Sequence, residues 1–345
     1  MESLTWFVAF WVDVVGLGQA PPSPFPAQQL VRANDKLHGQ IVDFTNNHRG
    51  DHRLFSPALG QKRSLYVYLP PGYDPRRKYP FVIFLHGAGQ DEQFFLQTQA
   101  LTLDQAIATG RIPPMIVAAP DGSRFGRPSI LTPTTFWANS RAGNFEDFVM
   151  TDVWNFMMTT FPIRPDRESH ALVGASAGGT AAFGHAIKHK DRVKIAIGFM
   201  PLLNLRYVDC VGRYRSDFNP ECEGLRQNLR GLEALGRRRL VVLRFNDLFV
   251  PLFGRGEQAL AGMSAINPLE LMERHGLRPG DLDLYVAYGK LDEFNAGAQV
   301  ESFVHHARNR GIEVTVDCDP VGRHDLTTGR RFLLPAVDWA AARVP

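Results

Sequence analysis

From residue 79 onward the chain alternates between two hydrophobic patterns. Short unbroken apolar runs are one: YPFVIFLHG (79–87), PPMIVAAPDG (113–122), HALVGAS (170–176), VKIAIGFMP (193–201), LVVLRFND (240–247) and LDLYVAYG (282–289). Continuous apolar runs suit parallel strands covered on both faces. Longer stretches with apolar residues every three or four positions are the other. LTLDQAIATG (101–110) ends on Gly110, placed as a helix-terminating glycine. NFEDFVMTDVWNFMMTTF (144–161) carries Phe145, Phe148, Val149, Val153, Phe156 and Met157 at helical spacing, and DEFNAGAQVESFVHHARNRG (292–311) closes at Gly311. Strands alternating with helices predict an α/β fold with a mostly parallel central sheet and helices on both faces. Ahead of it, GQIVDFT (39–45) and RSLYVYLPPGY (63–73) flank the turn-rich NNHRGDH, which predicts antiparallel strands at the N-terminal edge.

There is no internal repeat, and no linker is visible after residue 64. Residues 38–345 therefore read as one domain preceded by a Pro-containing segment, 21–37. Residues 4–15 are strongly apolar, and Gly18-Gln19-Ala20 offers small residues at the positions of a cleavage site. Residues 1–20 read as an export signal of atypical kind, because no Lys or Arg precedes Arg32 and Asp13 interrupts the run. A misplaced start or a buried N-terminal arm is the alternative. The export reading favours a secreted or periplasmic location over a cytoplasmic one. The run is too short for a membrane span, so no integral membrane association is expected.

With 44% hydrophobic and 21% charged residues, the 345-residue chain has ample material for a large core. The net charge of +3 is spread over mixed signs, and the densest basic run, GRRRL (236–240), directly precedes an apolar strand. That placement marks a solvated strand entrance, and no nucleic-acid partner is expected. Three cysteines allow two readings. Either all are separate thiols, or Cys210 and Cys222 form a local disulfide across VGRYRSDFNPE while Cys318 stays free and buried in a strand. No Cys or His spacing suits zinc, so no metal and no cofactor is expected.

Chemistry concentrates at HALVGASAGG. A G-x-S-x-G match alone is weak, and a plain glycine-rich turn would produce it. Here it follows a predicted strand and opens a predicted helix, the setting of a nucleophile elbow. The turn is so sharp that residues two positions either side of the serine must lack side chains, and Gly174 and Gly178 meet that need. Ser176 becomes the candidate nucleophile, with a helix N-terminus beneath it.

A serine hydroxyl needs a base, and the base needs an orienting acid. In this fold they follow in the order Ser, acid, His. The last strand, about 312–318, is followed by His324, the candidate base. The strand ending at Gly289 is followed by Asp292, the candidate acid. Glu293 is adjacent, and Asp247, after LVVLRFND, is the main alternative. The oxyanion formed in acyl transfer needs fixed backbone N–H donors. Ala177, just after the serine, and Ala88, in the HGAGQDE loop, are the candidates. His86 in that loop is expected to shape it through hydrogen bonds.

These segments, with RSLYVYLPPGYD, FWANSRAGNFEDFVMTDVWNFM, YGKLDEFN and GRHD, resemble the esterase family of α/β hydrolases from about residue 38 to the C-terminus. That group includes esterase D (S-formylglutathione hydrolase), feruloyl and acetylxylan esterases, enterochelin esterases and mycolyltransferases. The resemblance implies the α/β-hydrolase fold and a serine-dependent carboxylic ester hydrolase, with Ser176, Asp292 and His324 as its triad. Ala177 stands where the family often has Met, which bears on the acyl pocket and not on the N–H. The implied substrates are feruloyl- or acetyl-type esters of polysaccharides, or small acyl esters and thioesters. Acyl transfer to an alcohol, and a non-catalytic binding scaffold, are the competing functions. Two segments, near 203–236 and 248–275, match no substrate motif and are expected to form a cap or rim over Ser176. Oligomeric state is not legible.

Overall fold

The structure is a computed structural model that describes residues 26–46, 50–128, 134–229, 233–238 and 241–345. The export-signal reading of residues 1–20 falls outside the described residues. Eight strands form the central sheet: β1 (Gln40–Phe44), β2 (Leu65–Leu69), β3 (Phe81–Leu85), β4 (Ile116–Pro120), β5 (His170–Ala175), β6 (Ile195–Phe199), β7 (Asp283–Gly289) and β8 (Val314–Asp319). Their order across the sheet is β1-β2-β4-β3-β5-β6-β7-β8. β2 runs antiparallel to both its neighbours, and every pairing from β4 to β8 is parallel. This is the mostly parallel sheet with an antiparallel N-terminal edge that the hydrophobic pattern predicts.

β3, β4 and β6 are buried at all positions. The period of two sends alternate residues to opposite faces. Leu65, Val67, Phe81, Ile83, Leu172 and Val286 face one helical layer. It is built from Phe145–Thr160 and the helices α3 (Ala177–Lys188) and α7 (Ala296–Arg308). Tyr66, Tyr68, Val82, Phe84, Ile195 and Ile197 face the other. That layer comprises α1 (Ala100–Ala108) and α8 (Leu326–Ala341). We call Phe145–Thr160 α2. It contains a six-residue π-helical stretch, Phe148–Val153, that its apolar spacing does not announce.

Two expectations are corrected. LVVLRFND does not enter the central sheet: β6 pairs directly with β7, so no slot exists between them. Val241–Arg244 instead pairs antiparallel with Ala234–Arg238 in a separate ribbon. A short apolar run cannot by itself tell a central strand from a ribbon over a local core. Cys318 does lie in a strand, but it is exposed. Among the described residues, β8 is the last strand of the sheet and has no neighbour on its outer side.

Between β6 and β7 the chain builds an insertion with its own core. It holds a hairpin (Tyr207–Asp209 with Glu223–Leu225), the ribbon, and helices α4 (Phe245–Phe253), α5 (Glu257–Ile266) and α6 (Pro268–Arg274). A Cys210–Cys222 disulfide closes the hairpin loop, so the second cysteine reading holds for that pair. The insertion's core joins Tyr207, Tyr214, Phe245 and Phe249 to Phe136, Ala177 and Phe294. Those last three residues border the carboxyl ends of the strands, so the insertion packs directly on that end of the sheet.

Candidate active site

Ser176 joins β5 to α3 with φ +53° and ψ −121°. A non-glycine residue at positive φ costs about 1–3 kcal/mol and persists only where its surroundings enforce it. Here the Ser176 N–H donates to the Phe199 carbonyl at 2.8 Å, and the Thr180 N–H donates to the Ser176 carbonyl at 3.0 Å. The flanking glycines leave no space for anything larger. A Cβ on Gly174 would stand 2.2 Å from the Gly178 carbonyl oxygen, and one on Gly178 would stand 2.1 Å from that of Leu85.

Asp292 lies in the turn after β7, and His324 lies in the loop after β8. The two loops are laced together, with Lys290 N–H on the Asp319 carbonyl and Leu291 N–H on the Gly322 carbonyl, both at 2.9 Å. The Asp292 and His324 side chains are 2% and 6% exposed. His324 Nδ1 sits 2.6 Å from Asp292 Oδ2, and Nε2 sits 2.9 Å from Ser176 Oγ. A carboxylate only accepts, so Nδ1 carries the proton and Nε2 accepts from the serine hydroxyl. The structure thus brings Ser176, His324 and Asp292 into one relay. Asp247 is not part of it. It is exposed in the first turn of α4, where its carboxylate accepts the Arg244 N–H at 3.0 Å. Glu293 accepts the His324 backbone N–H at 3.1 Å and binds Arg323 at 3.0 Å. Asp325 caps α8 by accepting the Thr328 N–H at 2.9 Å.

The HGAGQDE loop lies against the serine: a Cβ on Gly87 would stand 3.2 Å from Ser176 Cβ. Gly87 N–H is committed to Gln90 Oε1 at 2.6 Å, which fixes the loop; the next residue, Ala88, is half-buried. Ala177 is the first residue of α3, and its N–H belongs to the first helical turn, which has no intrahelical acceptors. His86 is fully occupied. Its Nε2 accepts the Gly122 N–H at 2.9 Å, so its Nδ1–H donates to the Gly87 carbonyl at 2.9 Å. Burial lowers its pKa, keeping it neutral in that tautomer. Burial, followed by repulsion from nearby carboxylates, holds Asp91 and Glu92 at the end of the loop above the ordinary carboxylate range.

Sequence reasoning missed several supports. Trp137 Nε1–H donates to the His86 carbonyl at 3.1 Å, and its ring covers Gly122. Phe136 and Trp137 both take positive φ, +49° and +54°, a conformation aromatic side chains do not announce. Buried Arg63 binds Asp121 at 3.4 Å and the Ser123 and Arg124 carbonyls at 2.6 and 3.0 Å, behind the same loop. The FWANS stretch was the available signal for Trp137. Nothing local marks Arg63 or Gln90. Among the described residues, no group of three or more His, Cys, Asp or Glu is placed to hold a metal ion. No helix among them is long and apolar enough to cross a membrane.

The model of the family described as "Putative esterase" matches residues 56–326. The chain belongs to this esterase family. Endo-1,4-beta-xylanase Y of Acetivibrio thermocellus is 31% identical over 204 residues, covering 55% of this chain and 17% of the relative. An esterase of Mycobacterium tuberculosis is 28% identical over 170 residues, covering 46% of this chain and 34% of the relative. The chain therefore spans about a third or less of the length of these curated relatives. Among solved structures, a ferulic acid esterase superposes with a TM-score of 0.66 at 16% identity, covering 90% of this family member and all of that chain. An S-formylglutathione hydrolase of Agrobacterium tumefaciens superposes at 0.60 and 16% identity, over 90% and 97%. These likenesses show the α/β-hydrolase fold.

Proposed function

We propose that this family member is a serine-dependent carboxylic ester hydrolase that works through an acyl-enzyme. The observation that carries the proposal is the Asp292–His324–Ser176 relay mounted on a strained elbow. His324 Nε2 takes the hydroxyl proton as Ser176 Oγ attacks the ester carbonyl carbon. The carbonyl π electrons move to oxygen, and the Ala177 and Ala88 N–H groups hold that oxyanion. Asp292 keeps the imidazole in the required tautomer and stabilises its cation. The intermediate collapses as the protonated His324 gives its proton to the leaving alcohol. A water then repeats the cycle, with His324 as base, and releases the acid.

Residues 38–345 act as the esterase domain in this proposal, and the segments near 203–236 and 248–275 form the cap that selects substrate. The packing of the insertion's core on Ala177 and Phe294 supports that role. Feruloyl- or acetyl-type esters of polysaccharides are the favoured substrate class. The support is a relative described as a xylanase and a fold neighbour described as a ferulic acid esterase. Small acyl esters and thioesters are the second class, supported by the S-formylglutathione hydrolase neighbour.

The test is hydrolysis of short-chain and aryl p-nitrophenyl esters, with labelling by a fluorophosphonate. Wild type turns over and is labelled; Ser176→Ala does neither. Asp292→Asn loses about 10⁴-fold in kcat, because the imidazole takes the wrong tautomer. Asp247→Asn stays at the wild-type rate. A labelled and active Ser176→Ala protein would sink the serine mechanism. Ester formation on adding a polyol would assign acyl transfer.

A further inference from the structure

The turn that carries Asp292 is held from outside the sheet. Two of its peptide planes are pinned by consecutive residues of the disulfide-closed loop in the insertion. The Glu293–Phe294 peptide donates its N–H to Asp292 Oδ1 at 2.7 Å, and its carbonyl accepts from Arg215 Nη2 at 2.7 Å. Because the peptide is planar, rotating it breaks both bonds together. The next peptide presents the Phe294 carbonyl to the Tyr214 hydroxyl, which also accepts from Gln299 Nε2 at 2.9 Å. Asn295 closes the turn at φ +54° and donates its side-chain amide to the Tyr214 carbonyl at 2.7 Å. Tyr214 is 2% exposed, and the Phe294 ring lies 4.7 Å from the His324 ring. Cys210 and Cys222 close the loop that bears Tyr214 and Arg215.

We infer that Tyr214 is a positioning residue: with Arg215, it holds turn 292–295 so that the Asp292 carboxylate stays aligned on His324. This rests on the serine-hydrolase reading above. The carboxylate accepts from the Phe294 N–H through Oδ1 and meets His324 Nδ1 through Oδ2. The first of these fixes the direction of the second. Freed of its outer anchors, the turn can rotate its peptides, and the carboxylate then leaves the imidazole. Of the charged groups beside His324, Glu293 takes its backbone N–H, Arg323 is bound to Glu293 and Asp325 caps α8, so none of them replaces Asp292.

The experiment compares wild type, Tyr214→Phe and Arg215→Ala on one p-nitrophenyl ester across pH, with rates expressed per fluorophosphonate-titrated site, and Ser176→Ala alongside with its rate expressed per mole of protein. Tyr214→Phe keeps the ring in the core, and Arg215 is exposed, so both variants fold. Tyr214→Phe is expected to lose about 10- to 100-fold in kcat at unchanged KM. The acid limb of kcat/KM moves to lower pH, because a misaligned carboxylate no longer stabilises the His324 cation. Arg215→Ala moves both readouts the same way by less. Wild-type kcat per site in Tyr214→Phe, or lost kcat with an unmoved acid limb, overturns the inference. Fewer titratable sites at the wild-type rate per site also overturn it, since the residue would then be only structural. An active Ser176→Ala variant would instead mean that the serine reading itself had failed.

Discussion

Ser176 occupies a backbone region that almost any other placement of a serine avoids, and it is held there by neighbours with no side chains. At this scale the most exacting position is Gly178, whose missing Cβ lets α3 close against the Leu85 and His86 carbonyls. Backbone atoms cannot yield as a flexible side chain can. Gly178→Ala is therefore expected to destabilise by about 4 kcal/mol or more, at the extreme of single-residue effects. Loss of soluble protein, or a thermal midpoint far below wild type, checks this; a midpoint within a degree or two would show that the elbow has slack. The need for Gly174 and Gly178 is readable from sequence because the clash is local. The positive φ of Phe136 and Trp137 is not, and the contacts Trp137 makes there, with His86 and Gly122, lie fifteen or more positions away along the chain.

At the scale of elements, the hairpin after β6 is closed by a disulfide spanning twelve positions and by side-chain bonds such as Tyr207 Oη–H to the Asp217 carbonyl at 2.9 Å. Replacing both cysteines with alanine is expected to cost about 2–4 kcal/mol, read from the urea midpoint. An unchanged midpoint would mean that the side-chain bonds alone hold the loop. The strands show how far a pattern carries. β3 and β6 are apolar throughout because helices cover both their faces. In the 241–244 ribbon strand, Leu243 is apolar because it packs on the insertion's own core, and the two causes leave the same trace in the sequence.

For the whole molecule, the helical layer over α3 buries a histidine whose charge state couples to folding. Burial lowers His185 to about 4, against partial opposition from the Glu146 carboxylate. The unfolded residue titrates near 6.5. Between those values the unfolded chain takes up a proton that the folded chain refuses, so stability falls as pH drops from about 6.5 to 4. The loss is on the order of 3 kcal/mol. Thermal midpoints across that range should decline more steeply for wild type than for His185→Gln; parallel curves would remove His185 from the account.

The amino-acid sequence by itself determined the alternation of strands and helices, the elbow, and the loops that bear His324 and Asp292. Each rests on contacts or conformations within a few residues, where side-chain period and backbone sterics act directly. The tertiary structure decided what depends on distance between remote segments. It set Asp292 rather than Asp247 against the imidazole, left Cys318 in the open at the sheet edge, and brought Tyr214 to a turn some eighty positions away. Those outcomes follow from which strands are neighbours and how the insertion packs on the sheet's carboxyl end, and no local pattern encodes either.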